Sequence, residues 1–264
     1  MRFYLNLSPV RTLSYIPFNY QYAISALIYK KLAQANEGYA EFLHEKGYAQ
    51  NQHSRHFKLF TFSNLQGKFS VSKKALKLES NEMGLILTCH MPEFAENLIK
   101  GVFTDQHISI GDHTAQSDFT ITQIEVLPKF LFDDASEVIP TVRLKLLSPI
   151  VMCRKNSRGN DDYLSPEDED FIPLLIYNLK EKIAVAYGTE AAEEEVFEVF
   201  IGGLDNIKSR LVTIKAGKYA ETKVRGFLGF EMEMKGSKRV IQLAMDCGCG
   251  GMSSLGFGCV EVSL

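Results

Sequence analysis

Between residues 248 and 258 the chain reads Gly-Cys-Gly-Gly-Met-Ser-Ser-Leu-Gly-Phe-Gly, with two GxG pairs, Gly248/Gly250 and Gly256/Gly258, separated by five residues. Glycines at this density let a backbone come close to a phosphate chain and turn its N–H groups toward the anion. A tight turn that serves packing alone would use the same residues. No Lys-Ser or Lys-Thr pair follows, which excludes a Walker loop. A strand rather than a helix is predicted after the glycines, so a dinucleotide fingerprint fits poorly. Six histidines could move protons near neutral pH. Of these, His44 falls near a predicted helix end, where a lone histidine is ordinarily a surface or capping group. His53 and His56 lie in the segment after it, and His90, His107 and His113 belong to no constellation. The five cysteines, Cys89, Cys153, Cys247, Cys249 and Cys259, form an odd set without CxxC units. They signal neither a disulfide framework nor a zinc site, and they read as plain thiols.

A formal net charge of −3 gives no global attraction to nucleic acid, so any such role must rest on local charge. Between Ile201 and Val240 nine Lys or Arg stand against four acids, while acids cluster at 167–170 and 193–195. The cations singled out as phosphate contacts are Arg154, Lys155 and Arg158, with Lys208, Arg210, Lys215 and Lys218. A solvated face would show the same charges.

The elements that must hold these residues follow from hydrophobic period. Phe3, Leu5 and Leu7 alternate as a strand and not as a secretory signal. Asn19 is expected to cap a helix with its stripe at Tyr20, Ala23, Ile24, Leu27, Ile28 and Leu32. Tyr29 and Tyr22 lie off that stripe, so Tyr29 is expected outside its domain's core. A second helix starts from Asn36 and ends at Gly47 with His44 in its last turn. Strands follow at 58–62, 69–78 and 85–89, then a helix opened by Pro92, then strands near 108–110 and 119–127. This is the split βαβ plan of a ferredoxin-like unit. The second half repeats it: a strand at 142–146, a helix from Ser165-Pro166 to Gly188, strands at 196–201, 211–214 and 226–234, an ambiguous segment at 240–245 and a final strand at 259–262. The fold class is α+β, two tandem ferredoxin-like (RRM-like) domains over 1–127 and 128–264. The composition is that of a soluble cytoplasmic protein, and no apolar run approaches the roughly 20 residues of a membrane-spanning helix.

The glycine loop resembles the C-terminal signature of the repeat-associated RNA-binding superfamily of CRISPR proteins. Further segments narrow the resemblance to its repeat-processing endoribonucleases: Pro17 to Tyr22 leading to Leu27-Ile-Tyr29, Phe42-Leu-His44-Glu, Lys58-Leu-Phe-Thr61, Leu147-Ser-Pro-Ile150 with Arg154-Lys155, Ala186-Tyr-Gly188, and Ser254-Leu-Gly-Phe-Gly258. The match is collinear over nearly the whole chain. It implies two ferredoxin-like domains facing across a cleft and cleavage of precursor CRISPR RNA without metal or cofactor. In that reaction the ribose 2′-hydroxyl attacks the adjacent phosphate, leaving a 2′,3′-cyclic phosphate and a 5′-hydroxyl. The family's catalytic Tyr, His and Lys fall on Tyr29, His44 and Lys58. His44 is assigned to proton transfer in a direction left open, Lys58 to the charge on the phosphate oxygens, and Tyr29 to orienting the 2′-hydroxyl or, if its pKa is lowered, to acting as base. His53 or His56 is the alternative proton carrier, because the segment from Tyr48 to Phe57 looks variable.

The implied partner is CRISPR repeat RNA, with mature guide RNA and subunits of an effector complex as further candidates, for a monomer or homodimer off the membrane. Two other readings compete. A non-cleaving RNA-binding subunit would share the fold and the loop, and the joint presence of Tyr29, His44 and Lys58 stands against it. A phosphate-ligand or nucleotide enzyme would use the glycines, and the missing helix stands against that.

Overall fold

The computed structural model describes residues 1–51, 54–129, 140–217 and 219–263. Its first half runs, in chain order, β1 (Arg2–Pro9), β2 (Tyr15–Ile16), α1 (Gln21–Ala35), α2 (Glu37–Glu45), β3 (Phe60–Phe62), β4 (Phe69–Val71), β5 (Leu76–Leu78), β6 (Met83–Cys89), α3 (Pro92–Thr104), β7 (His107–Gly111) and β8 (Gln116–Val126). The main sheet has the order β3-β6-β1-β8-β7, antiparallel throughout. Without the edge strand β7 this is the ferredoxin-like order. Alternation in β1 turns Phe3, Leu5 and Leu7 onto a core shared with Ile24, Ile28 and Leu32 of α1 and Phe94 and Leu98 of α3. Asn19 does not cap α1. Tyr20 holds the cap position without a side-chain bond, and the helix starts at Gln21. Asn36 does cap α2, its side chain accepting from the Tyr39 N–H at 3.0 Å. Past the end of α2, Gly47 takes a φ of 71° and donates its N–H to the Phe42 carbonyl. A Cβ there would lie 2.6 Å from the Phe57 carbonyl oxygen and 2.9 Å from Lys58 Cδ, so glycine lets the helix end press on the segment that carries Lys58.

The second half runs β9 (Thr141–Leu146), β10 (Cys153–Lys155), β11 (Asp161–Tyr163), α4 (Phe171–Tyr187), α5 (Thr189–Glu194), β12 (Glu198–Gly202), β13 (Lys208–Ile214), β14 (Thr222–Leu228), β15 (Glu231–Lys235), α6 (Lys238–Cys247) and β16 (Val260–Ser263). The sheet order β12-β15-β9-β16 is again ferredoxin-like. The segment expected as one strand at 226–234 is two strands, parted at Gly229, whose φ is 87°. The first, β14, pairs with β13 in a separate two-stranded hairpin, and β15 joins the main sheet between β12 and β9. The ambiguous 240–245 lies in α6, which Ser237 caps by accepting from the Val240 N–H. The helix expected from Ser165-Pro166 starts at Phe171 instead.

The halves are joined through β3 and the residues before it. Phe57 and Leu59 belong to the second core, beside Met152, Leu175 and Cys249, whereas Phe60 and Phe62 belong to the first. The Asn64 N–H donates to the Leu147 carbonyl at 2.9 Å, and the Thr61 hydroxyl donates to the Phe257 carbonyl at 2.8 Å. Among the described residues no helix is long and apolar enough to cross a membrane.

Candidate active site

Tyr29 leaves α1 on the side that meets α2, and its ring lies edge-on to the His44 imidazole with centroids 5.1 Å apart. A second edge contact, to Phe60 at 5.9 Å, fixes the ring from below. Tyr29 is therefore half-buried against the first core rather than fully outside it. Lys58 enters from the strand side because its neighbours Phe57 and Leu59 are committed to the second core, which leaves the side chain between them to face outward. Its ammonium donates to the His44 carbonyl at 2.8 Å, at the C-terminal end of α2. An ammonium has three N–H groups, so two remain for a ligand.

The three side chains line one cleft of ≈ 620 Å³, whose other walls come from the second half: Lys215, Ile214, Thr222 and Val224 of the β13–β14 hairpin, and Met252, Ser254 and Leu255 of the glycine loop. Burial pushes the Tyr29 phenol up to about 12, and a hydrogen bond from the Ser254 side chain offsets this in part. At neutral pH the phenol is thus neutral, the form that donates a hydrogen bond. Burial also lowers the Lys58 ammonium from its ordinary value. Leu59, Lys215 and Met252 are the described non-glycine residues with positive φ, at 51°, 54° and 57°. The first adjoins Lys58 and the other two line the cleft, the kind of place where backbone strain of about 1–3 kcal/mol per residue is usually stored.

The glycine loop is held from beneath by a lysine of α4 that the sequence analysis did not single out. Lys182 is fully buried and donates to the carbonyls of Cys247, Gly248 and Gly250 at 3.3, 2.7 and 3.0 Å. Burial lowers it to about 8, which keeps the ammonium form at neutral pH, the form with three N–H groups for three acceptors. The signal for it was present: Phe171, Leu175, Leu179 and Ile183 make a helical stripe, and Lys182 lies on it.

These features agree with what the chain resembles as a whole. The family model for CRISPR associated protein Cas6, C-terminal, matches residues 134–262, and that for CRISPR-associated protein Cas6, N-terminal, matches residues 15–125. The chain belongs to the Cas6 family. It is 26% identical over 246 residues to CRISPR-associated endoribonuclease Cas6 1 of Methanocaldococcus jannaschii, covering 93% of this chain and 86% of that one. It is 27% identical over 250 residues to CRISPR-associated endoribonuclease Cas6 of Pyrococcus furiosus, covering 94% and 83%. A solved CRISPR associated protein Cas6 superposes with a TM-score of 0.72 at 25% identity, covering 100% of this chain and 99% of the other. Membership places the chain among the CRISPR-associated endoribonucleases.

In this Cas6 chain the expected phosphate contacts are scattered. Among those in the described residues, Lys215 alone lines the cleft with the Tyr29, His44 and Lys58 set. Lys208 is exposed at the start of β13, and Lys218 lies outside the described residues. Arg210 is not a free cation: it donates to Asn64 Oδ1 at 3.2 Å and to the Phe18 carbonyl at 3.1 Å, and its guanidinium stacks 5.2 Å from the Tyr20 ring centre, bridging the halves. Arg154 pairs with Asp162 and Asp170, and Lys155 with Asp161 at 2.7 Å, so the charges of the β10–β11 hairpin are matched locally. Arg158 is exposed at the turn of that hairpin.

Gly248, Gly250, Gly256 and Gly258 all have positive φ and all are buried by protein. A Cβ on Gly256 would lie 2.2 Å from Phe62 Cε2, and one on Gly258 1.9 Å from the Cys249 carbonyl oxygen. What these glycines permit is the close seat of the loop on β3 and on itself, so the packing alternative holds for them. The loop meets the cleft through Met252, Ser254 and Leu255. His56 is exposed and outside the cleft lining, and His53 lies outside the described residues. Among the described residues no group of three or more His, Cys, Asp or Glu is arranged to hold a metal ion.

Proposed function

We propose that this chain cuts precursor CRISPR RNA within its repeats, by attack of a ribose 2′-hydroxyl on the adjacent phosphate and without a metal ion. One observation supports the reading above others: Tyr29, His44 and Lys58 line a single open cleft together with the Lys215 cation. The 2′-oxygen bonds to phosphorus as its proton leaves, the bond to the 5′-oxygen breaks, and that oxygen takes up a proton. The products are a 2′,3′-cyclic phosphate and a 5′-hydroxyl. His44 carries one of the two protons. Lys58, held by the His44 carbonyl, sets positive charge against the phosphate oxygens as negative charge gathers there. Tyr29, a neutral phenol, donates a hydrogen bond that orients the attacking ribose or a phosphate oxygen. Binding of the RNA draws on Lys215 and Lys208 for its salt-dependent part.

The test is cleavage of repeat RNA in excess EDTA, alongside the same RNA with a 2′-deoxy nucleotide at the scissile position. Unchanged cleavage with EDTA, cyclic-phosphate ends, and no cut in the deoxy substrate are the expected results. Strict dependence on a divalent ion, or cleavage of the deoxy substrate, overturns the mechanism. Tight binding without any cut would make the chain a non-cleaving RNA-binding subunit instead.

A further inference from the structure

A second cleft opens beside the first. It has a volume of ≈ 420 Å³ and lies between the tip of the β7–β8 hairpin and that of the β13–β14 hairpin, with Asn19, Tyr22, Asp112, His113 and Lys215 in its lining. Tyr22 and Lys215 line both clefts, so the two share a wall. Tyr22 precedes Tyr29 by seven residues on α1, two helical turns or about 10 Å along the same side. It is half-buried and rests on the apolar cluster of Val212, Ile214 and Val224, which steadies the ring while part of it faces the clefts. His113 closes the far side, against the facing hairpin: a Cβ on Gly217 would lie 3.6 Å from its Cε1. The acids nearby are taken up by the turns themselves. Asp112 accepts from the Thr114 N–H and hydroxyl at 2.7 and 2.6 Å, and Glu221 accepts from the Gly217 N–H at 2.9 Å.

An aromatic ring, a side-chain amide and a cation around a space of this size match the parts of a ribonucleotide: a flat base, its polar edge and its phosphate. Unpaired bases are commonly held by stacking on such rings, and an amide offers both donor and acceptor to a base edge. We propose that this second cleft is a subsite for one unpaired nucleobase, one or two nucleotides from the bond that is cut. Tyr22 supplies the stacking surface, Asn19 meets the base edge, and Lys215 holds the phosphate that passes between the clefts. The assignment rests on the reading of the first cleft as the cutting site.

The experiment is equilibrium binding of repeat RNAs that each carry one abasic ribonucleotide, at successive positions on both sides of the scissile phosphate. For the parental protein, one position within two nucleotides of that phosphate should weaken binding by about 10-fold, within the range for one stacked base. Tyr22→Leu keeps the apolar support but has no ring. It should lose a similar factor on intact RNA and nothing further on that abasic RNA, while Tyr22→Phe behaves as the parent. Equal losses for Tyr22→Leu on intact and abasic RNAs at every position, or no sensitive position at all, overturn the subsite. Because the readout is binding, the two readings fail separately. The expected pattern in a protein that never cuts would refute the cleavage reading and with it the subsite's place beside a cut bond, leaving Tyr22 a base-stacking residue, whereas cutting with additive losses would keep the cleavage reading and overturn the subsite.

Discussion

At the scale of single residues, chemistry and support divide cleanly. His44 is exposed at the end of α2; its side chain touches Tyr29 through the ring, and its carbonyl, which any substitution keeps, accepts from Lys58. His44→Ala should therefore stay folded, with a stability change of about 0.5 kcal/mol. Its single-turnover rate at saturating enzyme should fall by at least roughly 10²-fold, the lower end for loss of a positioned acid or base. Parental cleavage by His44→Ala, with loss in His56→Ala, would move the proton carrier. Tyr29 makes a different prediction. Its folded pKa of about 12 lies above the unfolded value of about 10, so the neutral phenol is the form that the fold favours. Its contribution to stability is fully present below pH 10 and is lost as pH rises toward 12. Tyr29→Phe should slow cleavage without changing the shape of the rate profile between pH 5 and 9. In a phenolate absorbance titration the same change should delete a transition above pH 10. A shifted rate profile, or a transition deleted near pH 9, would restore the phenolate as base.

At the scale of elements, the glycine loop and the helix behind it act as one unit. Lys182 fixes the end of α6 and the start of the loop through the carbonyls of Cys247, Gly248 and Gly250, and the loop in turn brings Ser254 to Tyr29. Lys182→Met preserves the apolar stripe of α4 but leaves buried carbonyls without their donor, at about 1–3 kcal/mol for each group left unsatisfied. Thermal unfolding should show that loss, and cleavage at saturating RNA should fall with it, since Met252 and Ser254 drift from the cleft. Gly256→Val forces a side chain into the Phe62 ring at a position whose φ of 79° disfavours any Cβ. The expected outcome is loss of thermal stability first, with RNA affinity lost only as far as folding is. Full stability with lost affinity would show that the loop backbone contacts RNA there.

At the scale of the whole molecule, the two ferredoxin-like halves share both a core and a cleft. Phe57 and Leu59, from the first half, are packed in the second core, so Leu59→Ala should cost about 2–5 kcal/mol, as a core truncation does. The charge that faces RNA is sparser than the formula suggests, because Arg210 bridges the halves while Arg154 and Lys155 are paired with aspartates. Lys208→Ala with Lys215→Ala should reduce the slope of log affinity against log salt by about 2, whereas Lys155→Ala should leave it nearly unchanged. Arg210→Ala should lower stability by about 1.5 kcal/mol, near the lower range for hydrogen bonds to a charged group, in a urea titration. Equal slopes for the two lysine variants and for Lys155→Ala would return the β10–β11 hairpin to the RNA surface.

Local pattern was enough for the ferredoxin-like plan of each half and the capping of α2 by Asn36, but not for the β10–β11 hairpin, for α6, or for the two strands each within 69–78 and 226–234. The plan and the cap are properties of period and spacing, which a chain carries before it folds. Tyr29, His44 and Lys58 were singled out by the resemblance of the collinear motifs, not by period or spacing. The limits of local pattern were equally physical. Gly226 to Met234 looked like one strand because β14 of the hairpin and β15 of the main sheet follow each other closely with the same alternation. Arg210 looked like a phosphate contact because charge alone does not tell a solvated cation from one stacked on Tyr20, nearly two hundred residues away. Only the packing of one half on the other decided that Lys58 faces the cleft, that Ser254 meets Tyr29 and that the glycines are enclosed. Each of those contacts joins segments far apart in the chain, and whether they meet depends on how two cores close around β3.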